Sequence, residues 1–197
     1  MKTTVYLLRH GHYSSPQPVV PYRMPGFHLS PEGIIQAQAR AKTLVHEPVA
    51  AVFTSLMERT RETAEIIAKP HRLVPMVDER LNEVRSPLQG KTKAFIDALG
   101  GWFVYETPWY IERKGESIQE ICDRVCACID EKRKEYEGKT LIFVSHGDNL
   151  MLAAAHYQGI PVMLKTLTEM PYVQMAGGYT IEFSESHQPQ VSPIVGY

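Results

Sequence analysis

Two arginines and two histidines are the residues of this sequence best suited to chemistry: Arg9, His10, Arg59 and His146. An arginine donates paired hydrogen bonds to phosphate oxygens, and a neutral imidazole carries a nitrogen lone pair that attacks phosphorus. Taken singly, each is more typical of an ordinary surface charge; Arg59, for example, is spaced to pair with Glu62 along a helix. A cleft in which all four converge would suit a phosphate dianion.

Four short apolar or β-branched runs predict the strands that position these side chains. Arg9 and His10 follow the first run, Arg59 lies a few residues past the second, and His146 follows the third. The runs are Thr3 to Leu8, Val49 to Phe53, Leu141 to Val144 and Tyr179 to Phe183. Because open α/β sheets bind ligands beyond the carboxyl ends of their strands, we expect the four side chains at one edge of a sheet.

Apolar residues at helical spacing predict four helices between and after these strands. Ser30 supplies an N-cap and Pro31 a first-turn proline for the first helix, whose apolar stripe is Ile34, Ala37, Ala41, Leu44 and Val45. The others cover about Glu58 to Ala68, Ser117 to Tyr136 and Asp148 to Tyr157. The alternation predicts an α/β fold, a three-layer sandwich with a mainly parallel sheet flanked by helices.

The composition is that of an ordinary soluble protein, with 44% hydrophobic and 22% charged residues. The net charge is −1, and the basic residues do not cluster into a run, which argues against nucleic-acid or membrane partners. The apolar run near the N-terminus is too short for a signal peptide or a membrane span, so a cytoplasmic location is expected. The sequence gives no indication of oligomeric state.

One domain over residues 1–197 is expected, because no low-complexity linker divides the chain. The stretch from about 86 to 115 fits the alternation of strands and helices poorly. It carries five aromatic residues: Trp102, Phe103, Tyr105, Trp109 and Tyr110. Two interpretations remain open, a lid over a site or an irregular excursion whose aromatics pack on the core.

Three cysteines, Cys122, Cys126 and Cys128, are too few and too clustered for a disulfide framework. On a helix, Cys126 and Cys128 point roughly 160° apart, so they cannot share a metal ion. We therefore predict reduced thiols, and neither a metal nor a cofactor.

The motifs taken in order resemble those of the histidine phosphatase superfamily, which includes the cofactor-dependent phosphoglycerate mutases. The resemblance spans most of the chain and is highly specific in combination. Its motifs are Arg9-His10-Gly11, Leu29 to Gly33, Ser55 to Ala64, Leu81-Asn82-Glu83, Gly115-Glu116-Ser117, Ser145-His146-Gly147 and Leu152 to Pro161.

The resemblance implies a phosphoglycerate mutase-like fold and a phosphorylated small-molecule substrate. It implies that His10 is a nucleophile that becomes phosphorylated, that Arg9, Arg59 and His146 hold the phosphate, and that Glu83 transfers the proton. The arginines and a protonated His146 would oppose the phosphate charge, so no metal is required. A phosphate dianion beside Glu83 is expected to raise its pKa and favour its acid form.

Departures from the family pattern concern the substrate. His12 stands where relatives commonly have another polar residue, and Met151 stands where many have arginine. A family asparagine is missing from Tyr13 to Val19, and Ser14, Ser15 or Arg23 is expected to replace it as a phosphate contact.

Three functions fit this pattern. A metal-independent phosphomonoester hydrolase is favoured over a phosphoglycerate mutase, because the stretch between Glu83 and the helix at Ser117 is shorter than the mutase insertion. A noncatalytic binding module of the same fold is disfavoured, since it would have no chemical need for all five site residues.

Overall fold

The computed structural model describes residues 2–184 and 187–196. In these residues one sheet contains β1 (Thr3–Arg9), β2 (Val49–Thr54), β3 (Met76–Val77), β4 (Thr140–Ser145), β5 (Gly178–Ser184) and β6 (His187–Ile194). The order across the sheet is β3-β2-β4-β1-β5-β6. The first four of these run parallel to one another, and β5 and β6 are antiparallel to their neighbours. The predicted mainly parallel sheet is confirmed.

The helices of the described residues are α1 (Pro31–Leu44), α2 (Glu58–Ala68), α3 (Lys93–Ala98), α4 (Pro108–Glu112), α5 (Ile118–Glu135), α6 (Gly147–Gln158) and α7 (Leu164–Glu169). Short 3₁₀ helices lie at Lys69–His71, Glu79–Leu81 and Gly101–Glu106. All four predicted helices are present, with ends within one or two residues of the prediction. Ser30 caps α1 by accepting a hydrogen bond from the Gly33 amide, and Ser117 caps α5 in a capping box.

Helices cover both faces of the sheet because its strands alternate their apolar side chains between two cores. One core joins Leu8, Val52 and Val144 of the sheet to apolar residues of α1 and α2. The other joins Leu7 and Phe143 to α5, α6 and part of the 86–115 segment. These layers confirm the three-layer α/β sandwich.

Some residues of the predicted apolar stripe of α1 and of the aromatic 86–115 segment are more exposed in the structure than the sequence pattern predicts. On α1, Ala37, Ala41 and Leu44 are buried, whereas Ile34 and Val45 are about two-fifths exposed. In the 86–115 segment, Tyr105 and Tyr110 are buried in the core, as an excursion packing on the core would require. Trp102 instead stays 38% exposed.

The three cysteines are free and buried on α5. The sulfurs of Cys122 and Cys126, one helical turn apart, are separated by 3.7 Å, and both lie within 4.8 Å of a ring nitrogen of exposed His156. The sequence argument against a shared metal ion considered Cys126 and Cys128 and did not consider Cys122 and Cys126. Cys122, Cys126 and His156 belong to α5 and α6 and lie apart from the carboxyl ends of the strands that are described below.

None of the helices in the described part of the chain combines the length and apolar character needed to cross a lipid bilayer.

Candidate active site

His10 lies immediately past β1, where its backbone amide donates to the Ser145 carbonyl of the neighbouring β4. Its side chain is buried, and Nδ1 lies 2.8 Å from the carbonyl oxygen of Gly11. Because a carbonyl only accepts, Nδ1 carries the proton and Nε2 keeps its lone pair. Burial above all, followed by the charges of Arg59, His146 and Arg9, lowers the pKa of His10 well below 6.5. His10 is therefore a neutral imidazole whose Nε2 lone pair is free to attack phosphorus.

Two glycines clamp the loop that carries His10 against the start of α1. A Cβ added at Gly33 would lie 1.9 Å from the His12 carbonyl oxygen, and one at Gly11 would lie 2.6 Å from the Gly33 oxygen. The Gly11 amide also donates to Thr63 Oγ1 of α2 at 3.0 Å. Only glycine permits this close backbone approach, which fixes the direction of the His10 ring.

Arg59, in the first turn of α2, is 1% exposed and reaches across the strand ends. Its Nε donates to His10 Nε2 at 3.3 Å, and Nη2 donates to the Tyr22 carbonyl at 2.8 Å. Nη2 also lies 3.2 Å from His146 Nδ1 and 3.5 Å from Glu83 Oε2. The convergence expected from three separate motifs is thus present.

Two guanidinium nitrogens at this edge have no hydrogen-bond partner within the described residues: Arg59 Nη1 and Arg9 Nε. Arg9 is held by a bond from Nη1 to the Val173 carbonyl at 2.7 Å, and its guanidinium lies over the Tyr172 ring. Buried donors without an acceptor are rare and costly. An oxyanion would satisfy both.

His146 is fully buried behind this pair, at the end of β4. Nε2 is 2.9 Å from Ser55 Oγ, which lies 2.6 Å from Thr60 Oγ1, and Nδ1 is 3.2 Å from Glu83 Oε2. Burial, against the opposing effect of Glu83, lowers the pKa of His146 to about 4. The protonated His146 implied by the resemblance concerns the phosphate-bound site and stays a prediction.

The loop bearing Glu83 is fixed by the Leu56 backbone amide and by side chains of α5 and α6. Asn82 Oδ1 accepts the Leu56 amide at 2.8 Å, and the Asn82 carbonyl accepts from Asn149 Nδ2 and Arg124 Nη1. Arg124 is itself paired with buried Glu116 at 2.5 Å. The motifs around Asn82 and Glu116 therefore hold the Glu83 carboxylate in place.

Glu83 is ionised in the free site. Burial by itself would raise its pKa, but the nearby His146 and Arg59 and the Val84 amide outweigh burial and hold the pKa well below the usual range. The raised value expected beside a phosphate dianion concerns a different state, in which the arginine's positive charge is shared with the ligand.

These groups surround a cavity of about 160 Å³, here called the phosphate cavity. Four of the five predicted residues line it, namely Arg9, His10, Arg59 and Glu83, while His146 reaches it through Glu83 and Arg59. The other walls are Tyr13, Val20, Pro21, Tyr22, Trp102, Asp148 and Tyr172.

Neither Ser14 nor Arg23 is among the described residues that line this cavity; their neighbours Tyr13 and Tyr22 are. Arg23 instead donates from Nε to the Glu83 carbonyl and lies 3.5 Å from Glu116. His12 sits outside as well, with Nδ1 2.7 Å from Ser30 Oγ of the α1 cap. Met151 is fully buried in the core.

Asp148 is the cavity residue that the sequence reasoning missed most plainly, since it follows His146 by only two positions. Its carboxylate is buried and accepts hydrogen bonds from Tyr105 Oη at 2.6 Å and Tyr172 Oη at 2.8 Å. Burial, reinforced by the charge of Glu83, raises its pKa to about 6. Its place directly after a site motif was the available signal.

Comparison with known proteins identifies the family of this chain. The family model described as "Histidine phosphatase superfamily (branch 1)" matches residues 5–191. The chain belongs to the histidine phosphatase superfamily.

Individual relatives include proteins of differing described activity. The chain is 32% identical over 150 residues to the uncharacterized protein Rv0525 of Mycobacterium tuberculosis, covering 74% of this chain and 73% of that protein. It is 31% identical over 170 residues to an Escherichia coli protein named "Probable phosphoglycerate mutase GpmB", covering 80% and 75%. The fold is similar to that of a mycobacterial glucosyl-3-phosphoglycerate phosphatase, with TM-score 0.83, 21% identity and full coverage of both chains.

Proposed function

We propose that this protein is a phosphatase that hydrolyses phosphate monoesters through a phosphohistidine formed on Nε2 of His10. The observation that carries the proposal is the hydrogen bond from His10 Nδ1 to the Gly11 carbonyl, 2.8 Å long, which leaves Nε2 unprotonated. The lowered pKa of His10 keeps the ring neutral and nucleophilic over the ordinary pH range.

In the first step the Nε2 lone pair bonds to phosphorus and the bond from phosphorus to the ester oxygen breaks. The unpaired donors of Arg9 and Arg59 would bind the equatorial oxygens, on which the negative charge is spread. The guanidinium groups of buried Arg59 and half-buried Arg9 thereby supply the positive charge for a reaction that we propose to be independent of metal ions.

Glu83 would protonate the departing alkoxide oxygen. Because the free carboxylate is ionised, it must first gain a proton when substrate binds. A phosphate dianion engages Arg59 and adds negative charge, and both effects raise the Glu83 pKa. In the second step water attacks phosphorus, Glu83 takes the water proton, and the bond between phosphorus and nitrogen breaks, which regenerates neutral His10.

This coupling makes binding of inorganic phosphate take up protons. We expect calorimetric titrations above pH 7, run in buffers of different ionisation enthalpy, to show net uptake that falls in Glu83→Gln. Equal uptake in both proteins would remove Glu83 from the acid role.

Phosphoglycerate mutase activity is the second candidate, favoured by the similarity to the Escherichia coli protein. It shares the first half-reaction but returns the phosphoryl group to a second hydroxyl. A coupled assay for interconversion of 2- and 3-phosphoglycerate distinguishes it from release of inorganic phosphate.

The deciding experiment measures phosphate release from an aryl phosphate in excess chelator, for the wild type and His10→Ala. We expect release in the wild type, none in the variant, and an acid-labile label on the protein after a quench with radiolabelled substrate. His156→Ala is the matched control, because it removes an exposed histidine of the α5–α6 group and should leave turnover unchanged. Substantial activity in His10→Ala would overturn the mechanism.

A further inference from the structure

A second, larger cavity of about 460 Å³, here called the outer cavity, adjoins the phosphate cavity. The two share Arg9, Val20, Tyr22, Trp102 and Tyr172, so they lie side by side, and together they are here called the cleft. Beyond this shared wall the outer cavity is lined mainly by apolar and aromatic residues: Leu88, Ile96, Val104 and Tyr105. Its position beside the phosphate cavity is where the alcohol portion of a bound phosphate ester would extend.

The fixed charges of the phosphate cavity cancel before any ligand enters. Its lining contains two cations, Arg9 and Arg59, and two carboxylates, Glu83 and Asp148. Both cations are committed to the phosphate by their position beside His10. A phosphate dianion already leaves this site with excess negative charge, and nothing in its lining remains to balance a second anion.

The outer cavity supplies no free cation among the described residues either. Lys93 lies at its rim, largely exposed, with both carboxylate oxygens of Asp97 within 2.9 Å of Nζ. An exposed ion pair of this kind contributes little, because water screens it. A carboxylate on the substrate would have to displace Asp97 to use this lysine.

Asp148 stands where the two cavities meet, since its partners Tyr105 and Tyr172 both line the outer one. The two phenol donors hold the carboxylate in one orientation, and its raised pKa reflects how poorly this position accommodates negative charge. A substrate carboxylate nearby would meet like charge in a buried setting, which is an effective way to reject a ligand.

We propose that the substrate is a phosphate monoester of a bulky, largely apolar alcohol without a carboxylate, and that Asp148 excludes acidic esters such as phosphoglycerates. This inference rests on the proposed function and narrows it. Trp102 and Tyr172, with ring centroids 5.4 Å apart and ring planes inclined by 43°, provide an angled aromatic wall against which a ring system in the alcohol can pack. Asp148 is thereby a specificity-determining residue.

The test compares kcat/KM for 1-naphthyl phosphate and 3-phosphoglycerate in the wild type and Asp148→Asn. In the wild type we expect the naphthyl ester to be favoured by at least ~100-fold, and in Asp148→Asn we expect this ratio to fall at least ~10-fold, since two unit charges a few ångströms apart repel strongly in a buried site. Asp123→Asn makes the same charge change on the exposed face of α5 and should leave the ratio as it is.

A wild type that prefers 3-phosphoglycerate, or a ratio that moves less than ~2-fold in Asp148→Asn, would overturn the inference while His10-dependent hydrolysis of the naphthyl ester stands. If no ester turns over, the proposed function fails instead. The inference is then decided by calorimetric binding of 1-naphthyl phosphate and 3-phosphoglycerate to His10→Ala, with and without Asp148→Asn. Tighter binding of the naphthyl ester, by a margin that Asp148→Asn reduces, supports the inference. Tighter binding of 3-phosphoglycerate rejects it.

Discussion

The two ends of the cleft are built in different ways. At the phosphate end, His10, Arg59 and His146 are each at most 2% exposed and lie within a few residues of a strand terminus. At the outer end, Trp102 is 38% exposed and belongs to a 3₁₀ turn. The residues that we propose to be catalytic are therefore positioned by the sheet, whereas the surface proposed to contact the alcohol comes from the connections around it. The same scaffold can keep its reaction and change its substrate through those connections.

Charge separates the two ends as well. The phosphate end contains two buried arginine nitrogens without an acceptor among the described residues, and under the proposed function the substrate phosphate would accept hydrogen bonds from them. The outer end has aromatic and aliphatic walls and an ion pair at its rim. Variants at the phosphate end should consequently lower turnover for every substrate, and variants at the outer end should change the ranking of substrates.

The largest expected effect is that of Glu83→Gln on esters with poor leaving groups. An alkyl alcohol departs slowly without a proton, so kcat should fall by roughly 10²- to 10⁴-fold, the range typical of general acid catalysis. An aryl phosphate needs less protonation and should lose much less. Measuring kcat for matched alkyl and aryl esters checks this, and equal losses for both would contradict the acid role.

Arg59→Ala should follow, with kcat lower by about 10²- to 10³-fold, as for removal of a preorganised oxyanion donor. The loss should be similar for aryl and alkyl esters, because we propose that the arginine binds the phosphate and not the alcohol. Arg61→Ala, an exposed arginine of the same helix, is the control. If kcat falls only a few-fold in Arg59→Ala, Arg59 is an ordinary helix residue and does not stabilise the transition state.

The contrast between the two ends also explains what the sequence could and could not predict. Four strands and four long helices were predictable because their apolar periodicity is local. The edge strands β3 and β6 were not: β3 has only two residues, and β6 contains Pro189 and Pro193, which are compatible only with an edge position.

The site divides along the same line. His10, Arg59 and Glu83 belong to compact motifs, so their convergence was predicted from the sequence and the resemblance. Tyr172 and Trp102 come from segments 70 residues apart and meet only in the folded protein. Ser14 and Arg23 were each one residue away from the tyrosines that line the cavity, because a loop conformation decides which neighbour faces inward.

Asp148→Asn gives a smaller effect that is measured on stability. The pKa of Asp148 is raised from 3.8 to about 6 in the folded state, so the native protein holds this proton more tightly than the unfolded chain. The associated stabilisation is present below pH 4 and is lost as pH rises through 6. Asp148→Asn should therefore be more stable than the wild type at pH 8, by roughly 1–3 kcal/mol, with the difference vanishing near pH 4.

Denaturant unfolding of the two proteins across this range checks the sign. Burial of His146 acts in the opposite direction, since its lowered pKa removes stability as pH falls from 6.5 towards 4, but it acts in both proteins and cancels in the comparison. Asp123→Asn should show a difference that does not depend on pH in this way. A constant difference for Asp148→Asn would mean that the carboxylate is not the titrating group.

Trp102→Ala should produce the smallest effect and the one that best separates the two ends of the cleft. The indole lies against Tyr172 and lines both cavities, so its loss removes contact area for the alcohol while Arg9, His10 and Arg59 keep their own contacts. KM for 1-naphthyl phosphate should rise about 3- to 10-fold, corresponding to the ~0.5–1.5 kcal/mol of an aromatic pair, while kcat and the KM for a small alkyl phosphate change little. An equal fall in kcat for both esters would contradict this prediction. It would show that Trp102 also positions the catalytic groups, so that reaction and substrate recognition do not belong to separate ends of the cleft.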